Sequence, residues 1–269
     1  MQVTANGIRI EYSIAGEGPW LVASHSLACA SGMWAPQVAA LRDRYRVLTF
    51  DTRGHGGTEA PAGPYTLDLL ADDLEDMLTA LGIGRCHFMG LSMGGMIGMT
   101  HALRHPGRFE SLLLCDTTSR IGPDMQSVWA QRIAAVEAEG MAHLVVPTLG
   151  RWFTPAFHRS HPDVVEAVAR MIRATPPAGY VGCSHAIPRI DLTDRLGAIA
   201  VPTLVIVGDQ DPGTPVEASR AIQQGIPGAQ LAVIPSASHL SNLEQPETFV
   251  HLVSTFLRRV GVVPARSAP

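Results

Sequence analysis

The chain has 269 residues, 46% of them hydrophobic and 16% charged, with a formal net charge of −4. No Lys/Arg cluster stands out to grip phosphates, which argues against nucleic acid as a partner, and no apolar stretch is long enough to span a membrane. Met1-Gln2-Val3-Thr4 opens without a charged-then-apolar leader, and the four cysteines (Cys29, Cys86, Cys115, Cys183) form no CxxC pair, so a reducing cytoplasm is the expected compartment, with no metal or redox dithiol.

Residues 8–14 alternate apolar and polar and then meet Gly16-Glu17-Gly18-Pro19, which predicts an early strand and a turn. Short apolar runs at 20–23 and 47–50 predict buried strands. Between Thr66 and Gly82, six apolar residues from Leu67 to Leu81 share one helical face, with Thr66 as N-cap and Gly82 as the stop. A further strand over 86–89 leads into Gly90-Leu91-Ser92-Met93-Gly94, and a helix over 94–105 leaves it, ending before Pro106. Glycines two residues either side of a serine suit a sharp strand-to-helix turn that holds an exposed nucleophile, because a Cβ at either position would collide with the turn. Another strand follows at 112–115.

After Asp116 the alternation of strand and helix fails. Helical pieces at 131–142 and 164–173 stand among prolines, with no strand, and predict a helical insertion. Strands return at 203–207 and 231–234, with helices at 216–224 and 245–259. The expected architecture is α/β, a mostly parallel, doubly wound sheet with a helical cap: core 1–116 and 197–262, cap 117–196, and a disordered tail 263–269.

In such sheets ligands bind beyond the carboxyl ends of the strands. The loops there carry Ser26-Leu27, Asp51 to Gly56, Ser92, Asp209-Gln210-Asp211 and His239. A serine hydroxyl needs a base during attack, and a histidine oriented by a carboxylate does this best. Of eleven histidines, His87, His101, His105, His158, His161 and His251 fall in or beside regular elements, and His55 is expected to pack and hydrogen-bond under the site's rim. His239, just past the last strand, is the candidate base. The acid follows the 203–207 strand, where spacing alone leaves Asp209 and Asp211 open. Backbone amides of Met93 and Leu27 are the candidate donors to a developing oxyanion.

These residues resemble the α/β-hydrolase superfamily, and within it the 3-oxoadipate enol-lactonases. The likeness spans nearly the whole chain. It lies in Asp51-Thr52-Arg53-Gly54-His55-Gly56, Glu59-Ala60-Pro61, Gly63-Pro64-Tyr65-Thr66, Gly90 to Gly95, Arg151-Trp152-Phe153-Thr154 and Ser238-His239-Leu240-Ser241-Asn242. The family pattern Gly-x-x-Asp-x-x-Thr-Pro falls on Gly208, Asp211, Thr214 and Pro215, which implies Asp211 as the acid. The resemblance implies that Ser92, His239 and Asp211 open a carboxymethyl enol lactone through an acyl-enzyme, without cofactor or metal. Ser26, Arg151 and Trp152 are implied at the substrate, with Arg151 and Trp152 meeting its carboxylate. The implied partner is a small lactone or ester, and a homo-oligomer is allowed. Ala28 departs from the pattern by replacing a glycine beside the oxyanion loop. The alternatives are a general carboxylesterase, a C–C bond hydrolase of aromatic meta-cleavage products, or a non-catalytic binding protein on the same fold. Ser92 excludes the chemistry of relatives that carry aspartate at the turn.

Overall fold

The computed structural model describes residues 1–262, so the tail expected at 263–269 lies outside the described residues. Eight strands, β1 (Gln2–Ala5), β2 (Ile8–Ala15), β3 (Trp20–Ser24), β4 (Arg46–Phe50), β5 (Cys86–Leu91), β6 (Phe109–Cys115), β7 (Thr203–Gly208) and β8 (Gln230–Ile234), form one sheet in the order β1-β2-β4-β3-β5-β6-β7-β8. The β1/β2 and β2/β4 pairs are antiparallel and the others parallel. Strand β1 was not foreseen from its four residues. Its signal was the Asn6-Gly7 dipeptide, which sits at φ +45° and +76° and closes a two-residue hairpin with Ala5 paired to Ile8.

In chain order the helices of the first half are α1 (Ala35–Leu41), α2 (Leu67–Ala80) and α3 (Met93–Arg104). Helix α2 is capped as its sequence predicts, Thr66 Oγ1 accepting the Leu69 N–H at 3.0 Å. Its apolar face buries Leu70, Leu74, Met77 and Leu78; truncating any one to alanine removes about 2–5 kcal/mol. Asp73 is buried on the same helix because Arg53 forks onto it, Nε to Oδ2 at 2.7 Å and Nη2 to Oδ1 at 2.6 Å. That pair ties the Asp51 to Gly56 loop down. Cys86 and Cys115 are buried free thiols in β5 and β6.

Between β6 and β7 lie α4 (Gln126–Glu139), α5 (Val145–Trp152), α6 (Pro155–Ser160), α7 (Pro162–Ala174) and α8 (Pro177–Ala186). Prolines punctuate this stretch by starting helices, standing first in α6, α7 and α8. The helix expected at 131–142 is displaced toward the N-terminus. A 3-10 turn at Pro123–Met125 launches α4 five residues early, and Gly140 ends it. Helices α9 (Val216–Gly225), α10 (Ser241–Glu244) and α11 (Pro246–Val262) complete the fold. Among the described residues no helix is long and apolar enough to cross a membrane.

Candidate active site

The turn between β5 and α3 holds Ser92 at φ +55°, ψ −114°, outside the regions an L-residue prefers. Both flanking glycines are required by close approach: a Cβ on Gly90 would stand 2.3 Å from the Gly94 carbonyl oxygen, and one on Gly94 would stand 2.2 Å from that of Ser24. The serine is thereby raised over the ends of β3 and β5.

Three side chains from separate loops meet there. His239 Nε2 lies 3.0 Å from Ser92 Oγ, and its Nδ1 lies 2.7 Å from Asp211 Oδ2. Because Asp211 accepts on both oxygens, from the Gly213 and Thr214 amides on Oδ1 (2.8 and 3.1 Å) and from the Thr214 hydroxyl on Oδ2 (2.5 Å), His239 must donate from Nδ1. Its Nε2 is then free to accept the serine proton. Asp209, the other acid the spacing allowed, is exposed and among the described residues accepts only the Ala237 N–H, at 3.4 Å. Burial pulls the His239 pKa down, but the Asp211 charge and hydrogen bond outweigh it and leave the imidazole above its ordinary value. Asp211 is pushed up by burial and pulled down further by His239 and Thr214, ending below the usual carboxylate range.

Among the described residues neither the Leu27 nor the Met93 amide donates to a protein acceptor. Their neighbours are occupied. The Ser26 N–H points at Met33 Sδ (3.5 Å) and the Ala28 N–H at His55 Nε2 (3.0 Å), with Ala28 itself at φ +59°. His25 works alongside, accepting the Thr52 N–H on Nε2 at 2.9 Å and donating from Nδ1 to the Ser26 carbonyl at 2.7 Å. Burial lowers the pKa of both rings, His55 to about 3 with help from the neighbouring His25.

Asp116, at the end of β6, was passed over in the sequence. It is fully buried at φ +44°, accepts the Gly208 N–H on Oδ1 (2.9 Å) and the Ser241 hydroxyl on Oδ2 (2.6 Å), and so links the acid's loop to the histidine's. Burial, then the charge of Asp211, drives its pKa well above the usual carboxylate range. An acid following a strand has many bland explanations, and only the fold shows which loops it joins.

Ser92 opens into a cavity of about 440 Å³. The three residues expected at the substrate all line it. Among the described residues, Ser26 Oγ is buried without a protein partner, Trp152 lays its ring over His239 with centroids 5.9 Å apart, and the guanidinium of the half-buried Arg151 meets only Thr148 Oγ1, at 3.4 Å. Burial, then the nearby Arg132, lowers the Arg151 pKa. Arg132 also lines the cavity, its guanidinium 4.8 Å above the Trp129 ring. Neither arginine has a carboxylate at ion-pair distance among the described residues, whereas Arg120 at the same rim is paired to Asp191 and Asp194. Sequence reasoning missed Arg132 because one basic residue on a helix carries no signal of the side it faces.

One cluster among the described residues has the spacing of a metal site: Glu75, His101 and His105. None of the three lines the cavity, and Glu75 is already gripped by Arg108, from Nε to Oε2 at 2.9 Å and from Nη2 to Oε1.

The α/β hydrolase fold family matches residues 19–246. The chain belongs to this family. Within it, the chain is similar to 3-oxoadipate enol-lactonase 1 of Acinetobacter baylyi, 39% identical over 90% of each chain. A crystal structure of an enol-lactonase from Burkholderia xenovorans LB400 superimposes with a TM-score of 0.92 at 40% identity, covering 96% of this chain and all of that one. The hydrolases it resembles also include a proposed carbamate hydrolase, RutD of Agrobacterium fabrum, 30% identical over 90% of this chain and 94% of that protein. In α/β-hydrolase terms, the turn at Ser92 is the strand-to-helix elbow, and the loops after β7 and β8 supply its carboxylate and imidazole neighbours.

Proposed function

We propose that the chain hydrolyses a small lactone that carries a carboxylate, with 3-oxoadipate enol-lactone as the substrate, through an acyl-enzyme on Ser92. Ser92 Oγ attacks the lactone carbonyl while His239 Nε2 takes its proton. The carbonyl oxygen, now negative, receives the Leu27 and Met93 N–H groups; losing one such donor typically costs about a hundred- to thousandfold in turnover. Collapse breaks the ring C–O bond, and His239 returns its proton to the departing enol oxygen. The same imidazole then takes a proton from a water that attacks the acyl carbon, and returns it to Ser92 Oγ as the acyl–Oγ bond breaks and the diacid is freed. Asp211 holds the ring's tautomer and offsets the charge it gains. Arg151 and Arg132 receive the substrate carboxylate, with Ser26 Oγ and the Trp152 ring framing the lactone.

The observation that carries this reading is the unbroken Ser92–His239–Asp211 hydrogen-bond chain at a cavity where Arg132 and Arg151 have no carboxylate at ion-pair distance among the described residues. The test is a panel assay on the purified protein and on Ser92→Ala: the enol lactone, p-nitrophenyl acetate, a dienone acid and a carbamate. Expected is highest kcat/KM on the enol lactone, with activity abolished and fluorophosphonate labelling lost in Ser92→Ala. Preference for the neutral ester would favour a general carboxylesterase, for the dienone acid a C–C hydrolase, and for the carbamate a RutD-like role. An unlabelled wild-type Ser92 with no turnover on any of the four would favour a binding protein.

A further inference from the structure

Glu244, the last residue of α10, is buried and takes no part in the acyl transfer above. Its Oε1 accepts both the N–H and the hydroxyl of Thr154, each at 2.8 Å, and its Oε2 accepts the Ser238 N–H. Thr154 caps α6, in the helical insertion, while Ser238 directly precedes His239. Two more bonds join the same stretches. The Ser238 hydroxyl donates to the Arg151 carbonyl at 2.8 Å, and the Leu240 N–H donates to the Trp152 carbonyl at 3.1 Å. The residues on both sides of His239 are thus bonded to the segment that carries Arg151 and Trp152, Ser238 through its hydroxyl and Leu240 through its N–H.

We propose that Glu244 is a positioning residue that locks residues 151–154 of the insertion and the histidine loop into one body, so that the substrate-contacting side chains and His239 Nε2 keep a fixed mutual register. The proposal rests on the reading of His239 as the base for Ser92. Rotation of residues 151–154 away from the sheet would drag His239 off Ser92, so opening of the cavity must come from other parts of the insertion. A carboxylate is required at this place because the donors come from two directions onto two oxygens. A glutamine keeps the volume but has one acceptor oxygen, so its NH2 group must face either the Ser238 N–H or the Thr154 donors, and half the joint is lost.

The test compares wild type, E244Q, T154V and the double variant by kcat and KM on the lactone and by amide hydrogen exchange of peptides covering 151–154 and 238–240. Expected for E244Q is a loss of tenfold or more in kcat with KM changed less than threefold, and faster exchange in both stretches together while β5 and β6 peptides stay protected. T154V, which keeps the amide bond and loses the hydroxyl, should show a smaller loss, and the double variant should be no worse than E244Q. The proposal is overturned by E244Q activity within twofold of wild type, by faster exchange in one stretch alone, or by additive losses. T154V removes the buried hydroxyl, and with it the bond to Glu244 and the α6 cap bond from the Phe157 N–H, but keeps the Thr154 N–H on Glu244 and so keeps the test open if E244Q unfolds. Wild-type protein that neither turns over lactone nor accepts a fluorophosphonate would defeat the acyl-transfer reading instead, and the exchange experiment would still decide the joint.

Discussion

The two walls of the cavity are built on opposite plans. On the sheet side the charged and titratable groups are satisfied within the protein: Asp211 takes donors on both oxygens, His239 is held at both nitrogens, and Asp116 bridges the two loops beneath them. On the insertion side Arg132 and Arg151 face the same space with no carboxylate partner among the described residues. A closed network costs no reorganisation during reaction and defines one chemistry, whereas unpaired cations acquire their partner with the ligand. On the proposed function, the sheet therefore sets what is done, and the insertion sets to whom.

Asp211→Asn strikes the closed wall hardest. The asparagine leaves the shape but admits the wrong imidazole tautomer, and a kcat loss of about 10⁴ on any ester is expected; a loss below tenfold would show that the network is not closed through Asp211. Next comes acidity. His239 must be neutral to take the serine proton and its pKa lies above the ordinary 6.5, so kcat/KM should fall about tenfold per pH unit once the pH drops below that raised value. A pH profile with its acid limb at or below 6.5 would contradict the balance in which Asp211 outweighs burial.

The open wall is probed by Arg132→Ala and Arg151→Ala. Each should lower kcat/KM for the carboxylate-bearing lactone about 10- to 100-fold, the range of a charged hydrogen bond, and lower it far less for p-nitrophenyl acetate. Equal losses on both substrates would erase the distinction between the walls. The smallest effect belongs to Ala28, which holds a left-handed conformation at a cost of about 1–2 kcal/mol. Ala28→Gly relieves this but adds chain entropy of roughly 0.5–1 kcal/mol to the unfolded state, so a Tm rise of about 1–3 °C is expected in a thermal melt.

Most of the sheet could be read from the chain because buried parallel strands leave short apolar runs, and the Ser92 elbow because its geometry tolerates only glycine at two fixed offsets. Strand β1 escaped because four residues with one large apolar side chain carry no period, although Asn6-Gly7 marked the turn. The loops that carry Asp211 and His239 could be located, yet the choice between Asp209 and Asp211 needed a family resemblance. In space the distinction is one of reach, since Asp211 turns inward to His239 and Asp209 stays exposed. Arg132, Asp116 and Glu244 were illegible for a shared reason: each matters through partners distant in the chain, at the cavity, Gly208 and Thr154, and nothing local announces them.

His25 and His55 accept backbone amides on Nε2, so a proton added to either ring would set donor against donor. The bend that presents the Leu27 amide is accordingly blind to protons through the range in which His239 titrates, His55 resisting down to about 3. In a chain with eleven histidines, the falling rate in acid should still trace the ionisation of a single ring.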